Sequence, residues 1–204
     1  MTSMNRRSFI AQALGSSLGA SLLAAPALAQ TGAPAQNGET PQAAPDYLNA
    51  RYVRLKGVPP YQIHVVAKEY ALYWTLPDNR AVRYPVAIGR PGLYESGFFH
   101  VGAKKEWPEW KPTPEMIQRE PQVYGKYEDA PMPGGPNNPL GARALYLFTQ
   151  GGADTMLRIH GTRDLASIGR QASNGCVRMA NSHVTHLYDQ VPLGVPVYLY
   201  PAAA

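Results

Sequence analysis

Beyond residue 30, proline and glycine break this chain so often that few apolar runs outlast a short strand. The whole sequence of 204 residues holds 20 Pro and 19 Gly. Proline removes a backbone donor and glycine weakens any regular element, so long helices are excluded over most of the chain. The runs between the breaks are rich in β-branched and aromatic side chains, which suit a pleated surface. Residues 61–66, Ala71–Leu76 and 81–88, with a turn at Pro77-Asp78-Asn79, read as three consecutive antiparallel strands. Residues 97–101, 144–148, 156–160 and 195–200 add further short strands. Short strands at close spacing predict a mainly β domain, a sandwich or a barrel.

Two helices are expected. Thr113-Pro114-Glu115 combines an N-cap, a first-turn proline and an early acid, and that helix should end before Pro121. Residues 181–191 put Val184, Leu187, Tyr188 and Val191 on one face, with Asn181 as the cap. A single turn is possible at 164–168. Residues 121–143 read as a long irregular loop, the kind that is usually functional.

The first 29 residues read as a signal peptide. Asn5-Arg6-Arg7-Ser8-Phe9 has the paired arginines of twin-arginine signals, residues 10–23 are apolar and small, and Ala27-Leu28-Ala29 is a small-x-small cleavage site. No cysteine stands at that site, which argues against a lipoprotein anchor. Residues 30–46 are Ala, Pro, Gly, Gln and Thr and read as a flexible linker. Residues 47–204 then form one domain. No other stretch is apolar enough to span a membrane, so the mature form is expected to be free in the periplasm. Loss of Arg6 and Arg7 with the leader lowers the formal net charge from +5 to +3. That excess suits an acidic wall-associated substrate. It is too small and scattered for nucleic acid.

Cys176 is the only cysteine. In an exported protein a lone thiol means a partner disulfide, a buried inert side chain or a nucleophile. It lies in Ser173-Asn174-Gly175-Cys176-Val177-Arg178-Met179, sixteen residues after His160-Gly161-Thr162. Gly175 removes a side chain where a substrate carbonyl must approach. His160 titrates near neutrality and can accept the thiol proton. Arg178 could lower the thiol pKa or grip a carboxylate, and could equally tie down loop carbonyls.

These two motifs together resemble the signature of L,D-transpeptidase (YkuD-type) catalytic domains. Pro108-Glu109-Trp110-Lys111-Pro112-Thr113 and Asn138-Pro139-Leu140-Gly141 are similar to the periplasmic branch, and the resemblance covers about residues 60–200. It implies a β-sandwich-like catalytic domain with one or two short helices and a long loop near the site. It implies action on peptidoglycan stem peptides, with Cys176 as nucleophile, His160 as base and the Gly161 carbonyl orienting the ring. The backbone N–H groups of Gly175 and Cys176 are the expected oxyanion donors, and Ser173 and Asn174 the supporting residues. Asn174 departs from the pattern, because many members have a second histidine there. Arg178, Trp110 and Tyr94 are candidate substrate contacts. Trp107, Trp110 and Tyr94 also read as an aromatic cluster packing the long loop. No cofactor is implied. His183 and His186 are three apart on the last helix but lack a third ligand, so no metal site is expected.

The acceptor stays open between a second stem amine, a wall-anchored protein, a D-amino acid and water. Water would make the protein an L,D-carboxypeptidase. A non-catalytic wall-binding scaffold is the reading from a different class.

Overall fold

The computed structural model describes residues 49–202, so the leader and the whole linker read from the sequence lie outside the described residues. The described chain is mostly β. Its strands are β1 (Arg51–Arg54), β2 (Ile63–Val66), β3 (Ala71–Leu76), β4 (Arg80–Pro85), β5 (Ile88–Gly89), β6 (Gly97–Glu106), β7 (Arg143–Phe148), β8 (Asp154–Thr162), β9 (Gln171–Ser173), β10 (Val177–Ala180) and β11 (Pro196–Tyr200). Three short helices interrupt them: α1 (Pro114–Arg119), α2 (Pro121–Tyr124) and α3 (Asn181–Gln190).

Nine strands form one sheet in the order β1-β4-β3-β2-β11-β6-β7-β8-β10, and β5 pairs with β9 separately. β2, β3 and β4 are the expected antiparallel meander. The large sheet curls on itself. After β4 the chain turns away and Ala87 exchanges two backbone hydrogen bonds with Arg178 of β10, at 2.8 and 2.9 Å. The second strand at one end thus leads directly to the strand at the other end. One core lies inside. Ile63, Leu72, Trp74 and Tyr84 from one half meet Leu145, Leu147, Ile159 and Met179 from the other in a single cluster. This arrangement is sandwich-like, with one inward face buried and the other facing out.

Val184, Leu187 and Val191 are buried and Tyr188 is partly so, which is the face read from the 3.6-residue period. Several elements differ from the sequence reading. Asn181 does not cap α3; Ala180 holds the cap position, and the Asn181 amide oxygen instead accepts from Ala142 N–H at 3.0 Å. Residues 81–88 are split, because the chain leaves the meander after Pro85 to reach β10. β8 and β6 run longer than expected. The segment 121–143 begins with α2 and a tight turn at Gly125–Tyr127 before becoming irregular.

Candidate active site

β8 and β10 are neighbours and run parallel, with Val177 level with Ile159 and Arg178 level with His160. Side chains alternate along a strand. Val177 and Ile159 therefore both enter the core, while Arg178 and His160 share the opposite face. Cys176, two residues before Arg178, comes to that same side. Cys176, His160 and Arg178 all line one cleft of about 520 Å³. The parallel register is what joins two motifs separated by sixteen residues.

His160 is buried, and its Nδ1 is 2.6 Å from the Gly161 carbonyl. A carbonyl only accepts, so Nδ1 carries the hydrogen and Nε2 is left as the basic nitrogen. Burial pushes the ring pKa down to about 4, and the charges of Arg178 and Arg158 push the same way; the Gly161 and Leu140 carbonyls oppose this. Burial likewise raises the Cys176 thiol above its ordinary value. The backbone N–H of Arg158 and the Arg158 and Arg178 guanidiniums counteract it, and Glu95 adds to it. The residue is only half-buried, and its Sγ points toward the Met156 carbonyl at 3.9 Å.

Gly175 has φ +126°, and a Cβ there would sit 3.0 Å from the Leu93 carbonyl oxygen. The turn therefore needs a glycine both for conformation and for space. Ser173 is buried, and its hydroxyl donates to the Cys176 carbonyl at 2.5 Å. The same oxygen accepts from Gly175 N–H at 3.2 Å. Of the two expected oxyanion donors, the Gly175 N–H is thus engaged with Ser173 in this structure.

Gly161 lies under α3, where an added Cβ would be 2.2 Å from the Asn181 amide oxygen. Asn174 turns toward α1 and α2: its amide oxygen accepts from Arg119 at 2.9 Å and from Arg90, and its amide nitrogen donates to the Tyr124 hydroxyl at 2.9 Å. Arg178 lines the cleft and leans on Asp164 across 3.8 Å. Trp110 stands at the cleft wall and packs edge-on against Tyr124 and Tyr127.

Tyr94 is a correction. Leu93 and Glu95 line the cleft, whereas Tyr94 packs on the core and donates its hydroxyl to the Tyr200 carbonyl at 3.0 Å. Trp107 is exposed and lies outside the cleft lining. His186 hydrogen-bonds to the Tyr84 hydroxyl at 2.7 Å, His183 tilts against the same ring, and His64 stacks on Tyr198.

Arg158 was missed in the sequence. It is buried, lies 4.0 Å over the Tyr146 ring and is gripped by both carboxylate oxygens of Asp154 at 2.7 and 2.9 Å. Period-two alternation from His160 would have pointed to it. Arg90 and Arg119 were also missed, and Asn138 was read only as part of a resembling segment. Asn138 is buried and shapes the loop before β7, donating to the Met132 and Pro133 carbonyls and accepting from Leu140 N–H.

Known proteins resemble this chain in sequence and in fold. A probable L,D-transpeptidase, ErfK/SrfK of Escherichia coli K12, is 35% identical over 140 residues, 67% of this chain and 43% of that protein. A Fuscovulum blasticum protein from the ATP synthase subunits region, provisionally named an L,D-transpeptidase, is 32% identical over 95% of this chain and 96% of its own length. The chain thus spans less than half of the first relative and nearly all of the second. A solved structure from Brucella melitensis, described as a probable carnitine operon oxidoreductase, is 43% identical over 79% of this chain and 96% of that one, with a TM-score of 0.53. That description concerns a different chemistry and belongs to that protein. An Enterococcus faecium L,D-transpeptidase structure, 17% identical over 70% of this chain and 50% of that one with a TM-score of 0.52, shares the fold. The family model for the L,D-transpeptidase catalytic domain, YkuD, matches residues 60–199. With that match covering most of its length, the chain belongs to the YkuD family of L,D-transpeptidase catalytic domains.

Proposed function

We propose that this protein is a peptidoglycan L,D-transpeptidase of the periplasm, using Cys176 as nucleophile and His160 as general base. The observation that carries the reading is the β8–β10 register, which brings the thiol and an Nε2-basic imidazole to one face beside an open cleft. The donor is a stem tetrapeptide ending in a diaminopimelate-D-alanine bond. His160 Nε2 takes the thiol proton as Sγ attacks the carbonyl of the L-centre. Cys176 N–H is the backbone donor best placed in sequence for the oxyanion. As the C–N bond breaks, the imidazolium returns the proton to the departing D-alanine amine, leaving a thioester on Sγ. An acceptor amine then attacks the thioester, gives up its proton to His160, and the released thiolate takes that proton back. A second stem as acceptor yields a 3–3 cross-link, and a wall-anchored protein yields an attached protein.

Arg158 and Arg178 act on both partners of this proton transfer, with opposite sign. Both oppose protonation of His160 and both favour the thiolate. Arg178 reaches the cleft and is the group suited to a substrate carboxylate.

The test is incubation of the reduced protein with disaccharide-tetrapeptide, followed by mass analysis of free D-alanine, cross-linked dimer and tripeptide. D-Alanine release that disappears in Cys176→Ala supports the enzyme. No release by wild type, with the thiol shown to be free, sinks it. Dimer without tripeptide means that amine outcompetes water, and tripeptide alone makes the protein a carboxypeptidase.

A further inference from the structure

The helical part of the β6–β7 connection, α1 and α2, forms one wall of the cleft, while the connection is buried only toward its two ends, as at Pro108, Pro112, Leu140 and Ala142. Thr113, Glu115, Met116, Arg119 and Tyr124 line the cleft, yet neither α1 nor α2 buries a side chain. Apolar burial, the usual anchor of a helix, is slight in these two helices, limited to half-buried side chains such as Tyr124 against Trp110. Polar contacts converge on one amide instead. The Asn174 oxygen accepts from Arg119 at the end of α1 and from Arg90 in the loop after β5, while its nitrogen donates to Tyr124 in α2. Glu120 closes the group, 2.7 Å from Arg90 Nη2 and 3.6 Å from Arg119 Nε.

An amide suits this place better than an imidazole would. An amide oxygen has two lone pairs and can accept from two guanidiniums while its NH₂ donates to a third group. A neutral imidazole has one acceptor site, and a protonated one has none. Asn174 also immediately precedes Gly175 and Cys176, so whatever holds it holds the start of the nucleophile turn.

We propose that Asn174 is a positioning residue that clasps the α1–α2 arm to the nucleophile turn, setting the far wall of the cleft against Cys176 and so tightening the hold on the donor peptide. The proposal rests on the cleft being the stem-peptide site. It does not require Asn174 to touch the reacting atoms.

Asn174→Ala, Asn174→His and Asn174→Asp decide it, each as the whole chain. Backbone amide exchange of residues 114–124 is followed by mass spectrometry, together with kcat and KM for D-alanine release. Asn174→Ala and Asn174→His should speed exchange in the arm about tenfold and raise KM about tenfold, with kcat changed less than about threefold and the pH profile unmoved. Asn174→Asp keeps an oxygen for both arginines and should restore slow exchange and low KM. Tyr124→Phe removes one bond of the clasp and should give a smaller change of the same kind, which covers the case in which Asn174→Ala does not fold. Unchanged exchange in Asn174→Ala or Tyr124→Phe overturns the proposal, as does a loss confined to kcat. Exchange needs no substrate. A wild-type protein that releases no D-alanine therefore counts against the enzymatic reading, while the exchange result still judges the clasp.

Discussion

The thiol and the imidazole disfavour charge for the same reason, burial, and this shapes the chemistry. Ionising both together would place two charges where each alone is penalised. The resting pair is therefore neutral near pH 7, and in the mechanism proposed above the proton leaves Sγ only as the new bond forms. The acid side of the kcat/KM profile for D-alanine release should accordingly fall near pH 4, where His160 protonates, rather than near its ordinary 6.5. A midpoint at 6.5 or above would show that the ring is solvated in the free enzyme. The same shift carries a stability term. Between pH 6.5 and 4 the unfolded chain takes up a proton that the native chain refuses, so stability falls as pH drops through this window, by up to about 3 kcal/mol. His160→Gln should flatten that part of a denaturant-derived stability curve. Gly161 is constrained as tightly as its neighbour. Gly161→Ala would press a methyl to 2.2 Å from Asn181 and should cost about 2 kcal/mol or more in urea unfolding, with activity falling because the Gly161 carbonyl moves from the ring.

One strand, β8, brings His160 and the buried Arg158 to the site. Its core face is Leu157 and Ile159, and its other face presents Arg158 and His160 in succession. Arg158 is held rigidly by Asp154 and the Tyr146 ring, so its charge stands at a fixed place beside the thiol. Arg158→Met keeps much of the volume and removes the charge. It should raise the thiol pKa further and slow alkylation by iodoacetamide about tenfold at pH 8, and an unchanged rate would mean that Arg178 alone sets the local potential. β8 and α3 were legible because apolar periodicity marks them strongly. β9 and β10 were not: each is only three or four residues long and is defined by a partner strand, not by its own pattern. The thiol and imidazole were legible as types in paired motifs. Arg90 and Arg119 were not, since they meet Asn174 across 84 and 55 residues and no local rule links such positions. Tyr94 was misplaced because alternation alone separates it from Leu93 and Glu95, and the irregular loop between β5 and β6 gave no phase from which to count.

At the scale of the whole molecule, the position of Cys176 depends on closure of the sheet. Residues 174–176 are strung between β9, which pairs with β5, and β10, which pairs with β8 and bridges to Ala87. Both anchors on the β5 side come from the few residues after β4, so the meander and the β6–β10 half meet at the turn bearing Cys176. Without the seam, β10 would be an open edge and the turn would be fixed on one side only. Ala87→Pro removes the N–H that donates to the Arg178 carbonyl and leaves that buried junction with an unpaired acceptor. It should lower stability by about 3 kcal/mol and reduce D-alanine release together with it, whereas Ala87→Gly keeps both bonds and should cost about 1 kcal/mol. If Ala87→Pro melts at the wild-type temperature and turns over at the wild-type rate, the seam does not hold the turn, and the β8–β10 pairing alone must position Cys176. If stability falls while turnover per folded molecule stays whole, the seam serves the fold and not the site. Loss of both, with Ala87→Gly nearly intact, would tie closure of the sheet to placement of the thiol.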